Sequence, residues 1–206
     1  MSKVENEFDG HTCPKTFYVY GEDGLTLKFL LERLDIVLDQ LDKSNPSDCE
    51  VYYRPSFGRG IYYGEFDAII LTPQHAYLVE SKWDRSSGLK KGLREEQTKR
   101  HDILMWLSER WKGKSDEDWN RFRIKFQEKF DAIFEGKEIP PTHSGNNETT
   151  LSINLRTVLP KIRKRIPKNV LLIFHQGRRP AVPQEGYELV FVEYKPTHGL
   201  NLELEV

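Results

Sequence analysis

Hydrophobic and polar residues follow one another along the chain in patterns that predict a definite order of helices and strands. Apolar residues at three- and four-residue steps are typical of helices, and short β-branched or aromatic runs bounded by turn residues are typical of strands. The predicted helices lie at residues 25–41, 89–111 and 116–136 and in the basic stretch 156–168. The predicted strands lie at about residues 49–55, 66–72, 75–82, 169–175 and 187–194.

This order predicts an α/β fold with a mixed central β-sheet flanked by helices. The chain has 206 residues, of which 37% are hydrophobic and 31% are charged, so it can bury one sizeable core. No internal repeat or long linker divides the sequence, and we therefore expect a single domain over residues 1–206. The third predicted helix and the polar loop after it form a predicted helical insertion at about residues 112–150.

Charge and composition narrow the classes of function. The formal net charge is -1, which argues against a general attraction to nucleic acid and leaves only local basic patches. No apolar run is long enough for a membrane helix, and the N-terminus lacks the apolar core of a secretory signal, so we expect a cytoplasmic protein. Cys13 and Cys49 have no CxxC spacing and no histidine at metal-ligand spacing, and we expect reduced thiols.

The third predicted helix carries a stripe of aromatic residues, namely Trp119, Phe122, Phe126, Phe130 and Phe134. A stripe at helical spacing is typical of core packing rather than of a cofactor site. If Phe122, Phe126 and Phe130 are instead exposed, they form a candidate surface for a protein partner.

The predicted hairpin places full charges in the most strand-like part of the chain. For a turn of either two or four residues, the residue numbers of each facing pair add up to 147. Asp67 therefore lies opposite Glu80. Directly opposed side chains have Cβ atoms roughly 4.5–5.5 Å apart, and two like charges there destabilise the hairpin. Lys82 lies two residues after Glu80 on the same face, within reach of both carboxylates.

Two interpretations of these charges are open at this point. In the first, the hairpin lies on the surface and Lys82 forms a salt bridge worth at most about 1 kcal/mol. In the second, the hairpin is covered on both faces, and its charges need a partner or a metal ion. Apolar residues alternate onto both faces, with Ile69 on one and Ile70 on the other, and this favours the second interpretation. A hard divalent ion such as Mg²⁺ suits two carboxylates.

The segment GEFDAIILTPQHAYLVESKW, residues 64–83, resembles the PD-(D/E)XK nuclease superfamily, which has the restriction-endonuclease-like fold. The similar features are an aspartate, a strand-turn-strand, a glutamate and a lysine two residues apart, and a following helix. Within the superfamily, the segment is most similar to the nuclease-related domain and to Holliday-junction-resolvase-like members. The resemblance covers residues 64 to about 107 and implies a metal-dependent nuclease.

The resemblance also implies roles for individual residues. Asp67 and Glu80 are implied as ligands of Mg²⁺ or Mn²⁺, together with the backbone carbonyl of Ser81. Lys82 is implied to orient or activate the attacking water and to stabilise negative charge at the phosphorus. Gln97, on the next helix, is similar to the polar residue that some members turn towards the site. A buried Gln97 that only satisfies backbone groups is an equal alternative.

The chain departs from the family pattern in two places. Phe66 stands where the first motif has a proline, although the aspartate that performs the chemistry is present. Leu25 stands where related sequences carry a glutamate at the start of the first helix. Glu22 lies nearby as a substitute, whereas Glu32 lies opposite the apolar stripe and is expected in solvent. We expect His101, one turn further along the second helix, to be a plain helix-face histidine.

Basic residues near the motif and later in the chain are candidate contacts for phosphate groups. They are Arg85, Lys90, Lys91, Arg94, Lys161, Arg163, Lys164 and Arg165. A solvated face is an equal alternative for the last four.

Taken with the resemblance, these features predict a Mg²⁺-dependent deoxyribonuclease. It would act on nucleic acid, with DNA favoured over RNA, and a homodimer or a protein partner that supplies specificity is compatible with the sequence. One alternative is a non-catalytic nucleic-acid- or protein-binding module that retains the fold. Another is an unrelated α/β protein in which the three charges form a structural ion-pair cluster.

Overall fold

The computed structural model describes residues 16–19, 21–57, 65–84, 89, 93–113, 115–130, 143–144, 147–182, 184–195 and 200–203. The helices are α1 (Gly21–Glu32), α2 (Leu34–Asp39), α3 (Glu95–Arg110), α4 (Asp116–Lys129), α5 (Thr150–Thr157) and α6 (Leu159–Ile162). The strands are β1 (Thr16–Val19), β2 (Glu50–Tyr53), β3 (Ala68–Leu71), β4 (His75–Trp83), β5 (His143–Ser144), β6 (Asn147–Glu148), β7 (Ile166–His175), β8 (Glu188–Glu193) and β9 (Leu200–Glu203). Within the described residues, no helix is long and apolar enough to cross a membrane.

Five strands form one mixed sheet in the order β2-β3-β4-β7-β8. The pairs β2–β3 and β3–β4 are antiparallel, whereas β4–β7 and β7–β8 are parallel. The predicted α/β architecture, a mixed central sheet flanked by helices, is therefore confirmed. Two further pairs were not predicted from the sequence: β1 pairs with β9, and β5 pairs with β6.

The β3–β4 hairpin has the predicted register. Ala68 pairs with Val79, and Leu71 pairs with Ala76, so the paired positions sum to 147. Asp67, the residue before β3, therefore lies across from Glu80. All four residues of β3 and six of the nine residues of β4 are buried, so these charges lie on a covered hairpin and not on a surface one.

Helices cover the two faces of the sheet and form separate cores. On one face, α1 and α2 pack against the sheet through residues such as Leu25 and Phe29. On the other face, α3, α4, α5 and α6 pack against it, with Leu104 of α3 near Leu78 of β4 in the same core cluster. Side chains alternate along a strand, so Glu80 starts on the α3 face of the sheet.

The first helix differs from the prediction. The predicted helix at 25–41 is two helices, because Arg33 leaves the helical conformation with φ -140° and ψ 37°. The first of them begins at Gly21, four residues earlier than predicted. A single apolar stripe cannot continue through the break. Leu25 is fully buried, whereas Leu31, which keeps the apolar spacing of the predicted helix, is 58% exposed.

The aromatic stripe packs into the core, as predicted. Trp119 and Phe126 of α4 are fully buried, and the partly buried Phe122 and Phe130 pack against the same core cluster. The ring of Phe126 stacks on Trp106 of α3, with ring centres 5.6 Å apart. Phe126 is therefore not part of an exposed surface for a partner. Phe134 lies outside the described residues.

Candidate metal and active site

Asp67 and Glu80 face each other at the edge of the central sheet where β3 begins and β4 ends. Asp67 Oδ2 accepts a hydrogen bond from the backbone N–H of Ser81 at 2.6 Å. Asp67 is half-buried, and Glu80 is 1% exposed. Burial, followed by the negative charge of Glu80, raises the pKa of Asp67 from 3.8 to about 7. A pair of carboxylates in this state retains a proton unless a cation approaches it.

Glu80 is surrounded by three side chains of α3. Gln97 Nε2 donates to Glu80 Oε2 at 2.7 Å, and Arg100 Nη1 donates to Oε1 at 2.8 Å. His101 Nε2 lies 3.6 Å from Oε1, which is longer than a hydrogen bond. Burial by itself raises the pKa of Glu80, but His101 and the charge of Arg100 outweigh it, and the pKa lies below its usual value. Glu80 is therefore the ionised member of the pair.

Gln97 combines both of the roles considered for it. Its Oε1 accepts a hydrogen bond from the backbone N–H of Arg94 at 3.1 Å, at the start of α3, while its Nε2 binds Glu80. A carboxylate only accepts and a backbone N–H only donates, so the two contacts together fix the orientation of the amide. Gln97 thus satisfies the helix terminus and holds Glu80 at the same time.

Sequence reasoning missed Arg100, which supplies the positive charge closest to Glu80. The guanidinium also donates to the backbone carbonyl of Glu65 and lies 5.9 Å from the ring centre of Phe66. Arg100 follows Gln97 by three residues, a spacing that places two side chains on the same helix face. That spacing was the signal in the sequence that could have identified it.

His101 is not the plain helix-face histidine that the sequence led us to expect. It is fully buried, and its Nδ1 lies 2.7 Å from Asn169 Oδ1. Its ring contacts the rings of Phe66 and Tyr187, each with ring centres 5.0 Å apart. The expectation is wrong because α3 turns this residue towards the sheet, beside Glu80.

Lys82 binds an acid from α1 rather than the carboxylate pair. Its Nζ donates to Glu22 Oε1 at 3.0 Å and to the backbone carbonyl of Ser81 at 2.6 Å. Glu22 Oε2 also accepts the backbone N–H of Trp83 at 3.0 Å. Of the two helix acids considered, Glu22 therefore lies at the site, whereas Glu32 pairs with a lysine on its own helix and is exposed.

The oxygen atoms at this edge suit a hard divalent cation. Asp67 and Glu80 would supply carboxylate oxygens, and Ser81 would supply its carbonyl oxygen. The described residues contain no group of three or more His, Cys, Asp and Glu side chains that could hold a metal ion. Water or substrate oxygens would therefore complete the coordination of Mg²⁺ here. The raised pKa of Asp67 indicates that added positive charge is favoured at this place.

The structure places one of the four predicted phosphate contacts near the motif. Arg94 is exposed and lies at the start of α3, one turn before Gln97. The other three, Arg85, Lys90 and Lys91, lie outside the described residues.

The basic cluster from Lys161 to Arg165 lies at the other end of β4. Arg165 Nε donates to the backbone carbonyl of Thr72 in the hairpin turn. A strand rises about 3.3 Å per residue, so the stretch from His75 to Lys82 spans roughly 23 Å.

Most charges of this cluster already have partners within the protein. Lys161 forms an ion pair with Glu50, and Arg163 donates to the backbone carbonyl of Trp111. Lys164 is exposed, with no ion pair to a described residue. The structure does not bring the cluster to the carboxylate pair, and its contact with phosphate stays a prediction.

No family model matches the chain, and no curated protein or solved structure matches it. The chemistry open to the site follows from its geometry. Asp67 and Glu80 form a place for a cation, and Lys82 adds a positive charge at the same edge. The contacts from α3 fix the direction of Glu80. This arrangement can bind a divalent ion and a phosphate group together.

Proposed function

We propose that the chain is a Mg²⁺-dependent nuclease that hydrolyses phosphodiester bonds in DNA. The observation that carries the proposal is Asp67 opposed to Glu80 on a covered hairpin, with Lys82 at the same edge. Opposed carboxylates destabilise a covered sheet unless a cation compensates them. The mixed sheet and the hairpin support, as part of the same proposal, the restriction-endonuclease-like fold.

Asp67, Glu80 and the carbonyl of Ser81 would hold the ion. A bound Mg²⁺ polarises a phosphate oxygen and lowers the pKa of a bound water. Lys82 would place its ammonium group where negative charge develops on the phosphate. In the structure this group is held by Glu22, so α1 sets the position of Lys82.

Residues of α3 act on the site without being ligands. Gln97 and Arg100 each bind one oxygen of Glu80, and such outer contacts orient the ligands of a metal ion. Arg94, exposed at the start of the same helix, would contact a phosphate beside the reacting one.

One observation favours a second function, a non-catalytic nucleic-acid- or protein-binding module with the same fold. Both oxygens of Glu80 already have protein partners, so this carboxylate is satisfied without a metal ion. We place this function second because burial and the negative charge of Glu80 raise the pKa of Asp67 to about 7. The backbone N–H of Ser81 and the charge of Lys82 do not offset them.

Cleavage of end-labelled linear, single-stranded and branched DNA in Mg²⁺, Mn²⁺ or EDTA tests the proposal. Wild type should give products only with the metal ions. Asp67→Asn and Lys82→Met should each lose at least about 100-fold in rate, because the first removes a proposed ligand of the metal ion and the second removes the charge beside the reacting phosphate. Lys129→Met is the matched control, since it removes an exposed lysine of α4 that is not a candidate phosphate contact, and it should cut at the wild-type rate.

Cleavage that persists in EDTA, or that proceeds at the wild-type rate in Asp67→Asn, would place the chemistry elsewhere. Wild type that binds DNA but cuts none of the substrates would favour the binding module.

A further inference from the structure

The connection between β7 and β8 leaves the sheet at the same edge as the candidate site. In the parallel β4–β7 pair, Lys82 lies beside Ile173. The backbone N–H of Asp84 then donates to the carbonyl of Phe174 at 2.8 Å, so the two strands end side by side. The connection begins directly after His175, the last residue of β7. Its first residues therefore adjoin the end of β4 that carries the carboxylates.

Three contacts fix this connection beside the site. Asp84 Oδ2 accepts the backbone N–H of its first residue at 2.8 Å. Gln184 Oε1 accepts the backbone N–H of Leu93, just before α3, at 2.8 Å. Near its end, Tyr187 packs against the buried His101, with ring centres 5.0 Å apart. The connection is thus tied to β4 at its start and to α3 further on.

Two exposed arginines, Arg178 and Arg179, lie on this connection after Gly177. Gly177 has a φ of 70°, a conformation that glycine adopts without strain and that makes the turn away from β7. Neither arginine forms an ion pair with a described residue. The guanidinium of Arg179 lies 5.3 Å from the ring centre of Phe191, which supports the side chain without neutralising its charge.

The cluster at the other end of β4 is different in this respect. Lys161 pairs with Glu50, and Arg163 and Arg165 donate to backbone carbonyls. Groups that already have protein partners gain less from a phosphate than groups that face only water, because the existing contacts must first be given up. Among the described residues of that cluster only Lys164 has no such partner, whereas Arg178 and Arg179 both lack an ion pair with a described residue. More uncompensated positive charge therefore lies at the edge of the sheet that carries the site.

We propose that Arg178 and Arg179 contact the phosphate backbone of the nucleic acid beside the bond that the site cuts. The inference rests on the proposed function for the nature of that bond. Arginine binds phosphate oxygens with two parallel hydrogen bonds, and a nucleic acid presents phosphates on both sides of the reacting one. Arg94, exposed at the start of α3, extends the same basic edge.

Binding of a fluorescein-labelled DNA duplex tests this inference separately from cleavage. Anisotropy is measured in EDTA over a series of salt concentrations. For wild type, the logarithm of the binding constant should fall linearly with the logarithm of the salt concentration. The double variant Arg178→Gln/Arg179→Gln should reduce this slope by about 1.8, because each lost phosphate contact removes about 0.9. The matched control Lys125→Gln/Lys129→Gln removes the same charge from exposed positions of α4 that are not candidate phosphate contacts, and it should keep the wild-type slope.

The single variant Arg178→Gln removes no ring contact, so its expected slope reduction of about 0.9 does not depend on the packing of Arg179. An unchanged slope in the double variant, a reduced slope in the control, or no binding of DNA by wild type would overturn the inference. Binding of polyglutamate in place of DNA, lost in the double variant, would overturn it in favour of an acidic protein partner. DNA binding that depends on the two arginines, in a chain that cuts no substrate, would support this inference and contradict the proposed function.

Discussion

A half-buried aspartate lies beside each end of strand β4, and the two aspartates have different surroundings. At the hairpin turn, Asp42 Oδ2 accepts the hydroxyl of Thr72 at 2.8 Å and lies 2.9 Å from His75 Nδ1. Asp42 Oδ1 accepts the backbone N–H of Ser44 at 3.1 Å. Burial by itself raises the pKa of Asp42, but these hydrogen bonds hold it well below its usual range.

At the other end, Asp67 accepts the backbone N–H of Ser81 and faces Glu80. Burial and the charge of Glu80 raise its pKa to about 7. Both aspartates are partly removed from water, and burial by itself raises the pKa of each. The difference is the number of donors that compensate each charge. The hydrogen bonds to Asp42 stabilise its negative charge within the protein. The negative charge of Asp67 is not stabilised in this way, and a bound cation can stabilise it instead.

Removal of Arg100 should change stability most, because it leaves Glu80 buried without its ionic partner. Breaking a buried pair in this way costs about 3–5 kcal/mol. We expect Arg100→Met to lower the free energy of unfolding by that amount in urea titrations without metal. Mg²⁺ should restore part of the loss, since a cation can replace the missing charge.

Lys99→Met is the control for Arg100→Met. It removes a neighbouring positive charge that pairs with Glu95 at the surface of the same helix, and stability should remain close to wild type. Equal losses in the two variants would show that Glu80 does not depend on Arg100.

The two aspartates should give stability opposite dependences on pH. An aspartate in an unfolded chain has a pKa of about 3.9. The pKa of Asp67 is raised on folding, so its contribution to stability is fully present below about pH 4 and is lost as pH rises to about 7, by up to about 1.4 kcal/mol per pH unit. The pKa of Asp42 is lowered on folding, so its contribution is present above about pH 4 and is lost as pH falls further.

Urea titrations from pH 3 to pH 8 measure both effects. Asp67→Asn should remove the loss of stability between about pH 4 and pH 7, and Asp42→Asn should reduce the loss below about pH 4. Mg²⁺ should also flatten the upper range in wild type but not in Asp67→Asn. A wild-type curve that is already flat between pH 4 and pH 7 would contradict the raised pKa of Asp67.

The smallest effect is expected at the hairpin turn. Thr72→Val removes the hydrogen bond to Asp42 and the one that the Thr72 hydroxyl accepts from the backbone N–H of His75. The other two contacts of Asp42 remain, and the free energy of unfolding should fall by about 2 kcal/mol. Cleavage and Mg²⁺ binding should stay at wild-type levels, because the turn lies roughly 23 Å from Lys82 along β4. A Thr72→Val variant with normal stability and impaired cleavage would contradict the separate roles given to Asp42 and Asp67 at the two ends of β4.

Local patterns in the sequence were enough to predict the hairpin and the carboxylate pair. Alternation fixes which side chains share a face, and the turn length fixes the register, so Asp67 and Glu80 follow without knowledge of the rest of the fold. The position of Gln97 near the site could be predicted in part from the sequence, because α3 begins soon after β4.

Contacts between distant parts of the chain could not be predicted in the same way. Lys82 binds Glu22, which lies 60 residues earlier, and His101 contacts Asn169, which lies 68 residues later. Such pairs depend on how α1 and α3 pack on the sheet, which apolar periodicity does not specify. The break at Arg33 was missed for a related reason, since both halves of the predicted helix keep apolar residues at helical spacing.

The hairpin register has a consequence for how this chain can change during evolution. Residues of the turn around Pro73 and Gln74 can be exchanged without moving the pairing of β3 with β4. An insertion or deletion of one residue there shifts the pairing by one position and turns Asp67 to the opposite face from Glu80. Ile69 and Ile70 would exchange their cores at the same time. The composition of this turn can therefore change, while its length is constrained by the pairing that places Asp67 opposite Glu80 at the far end of the strand.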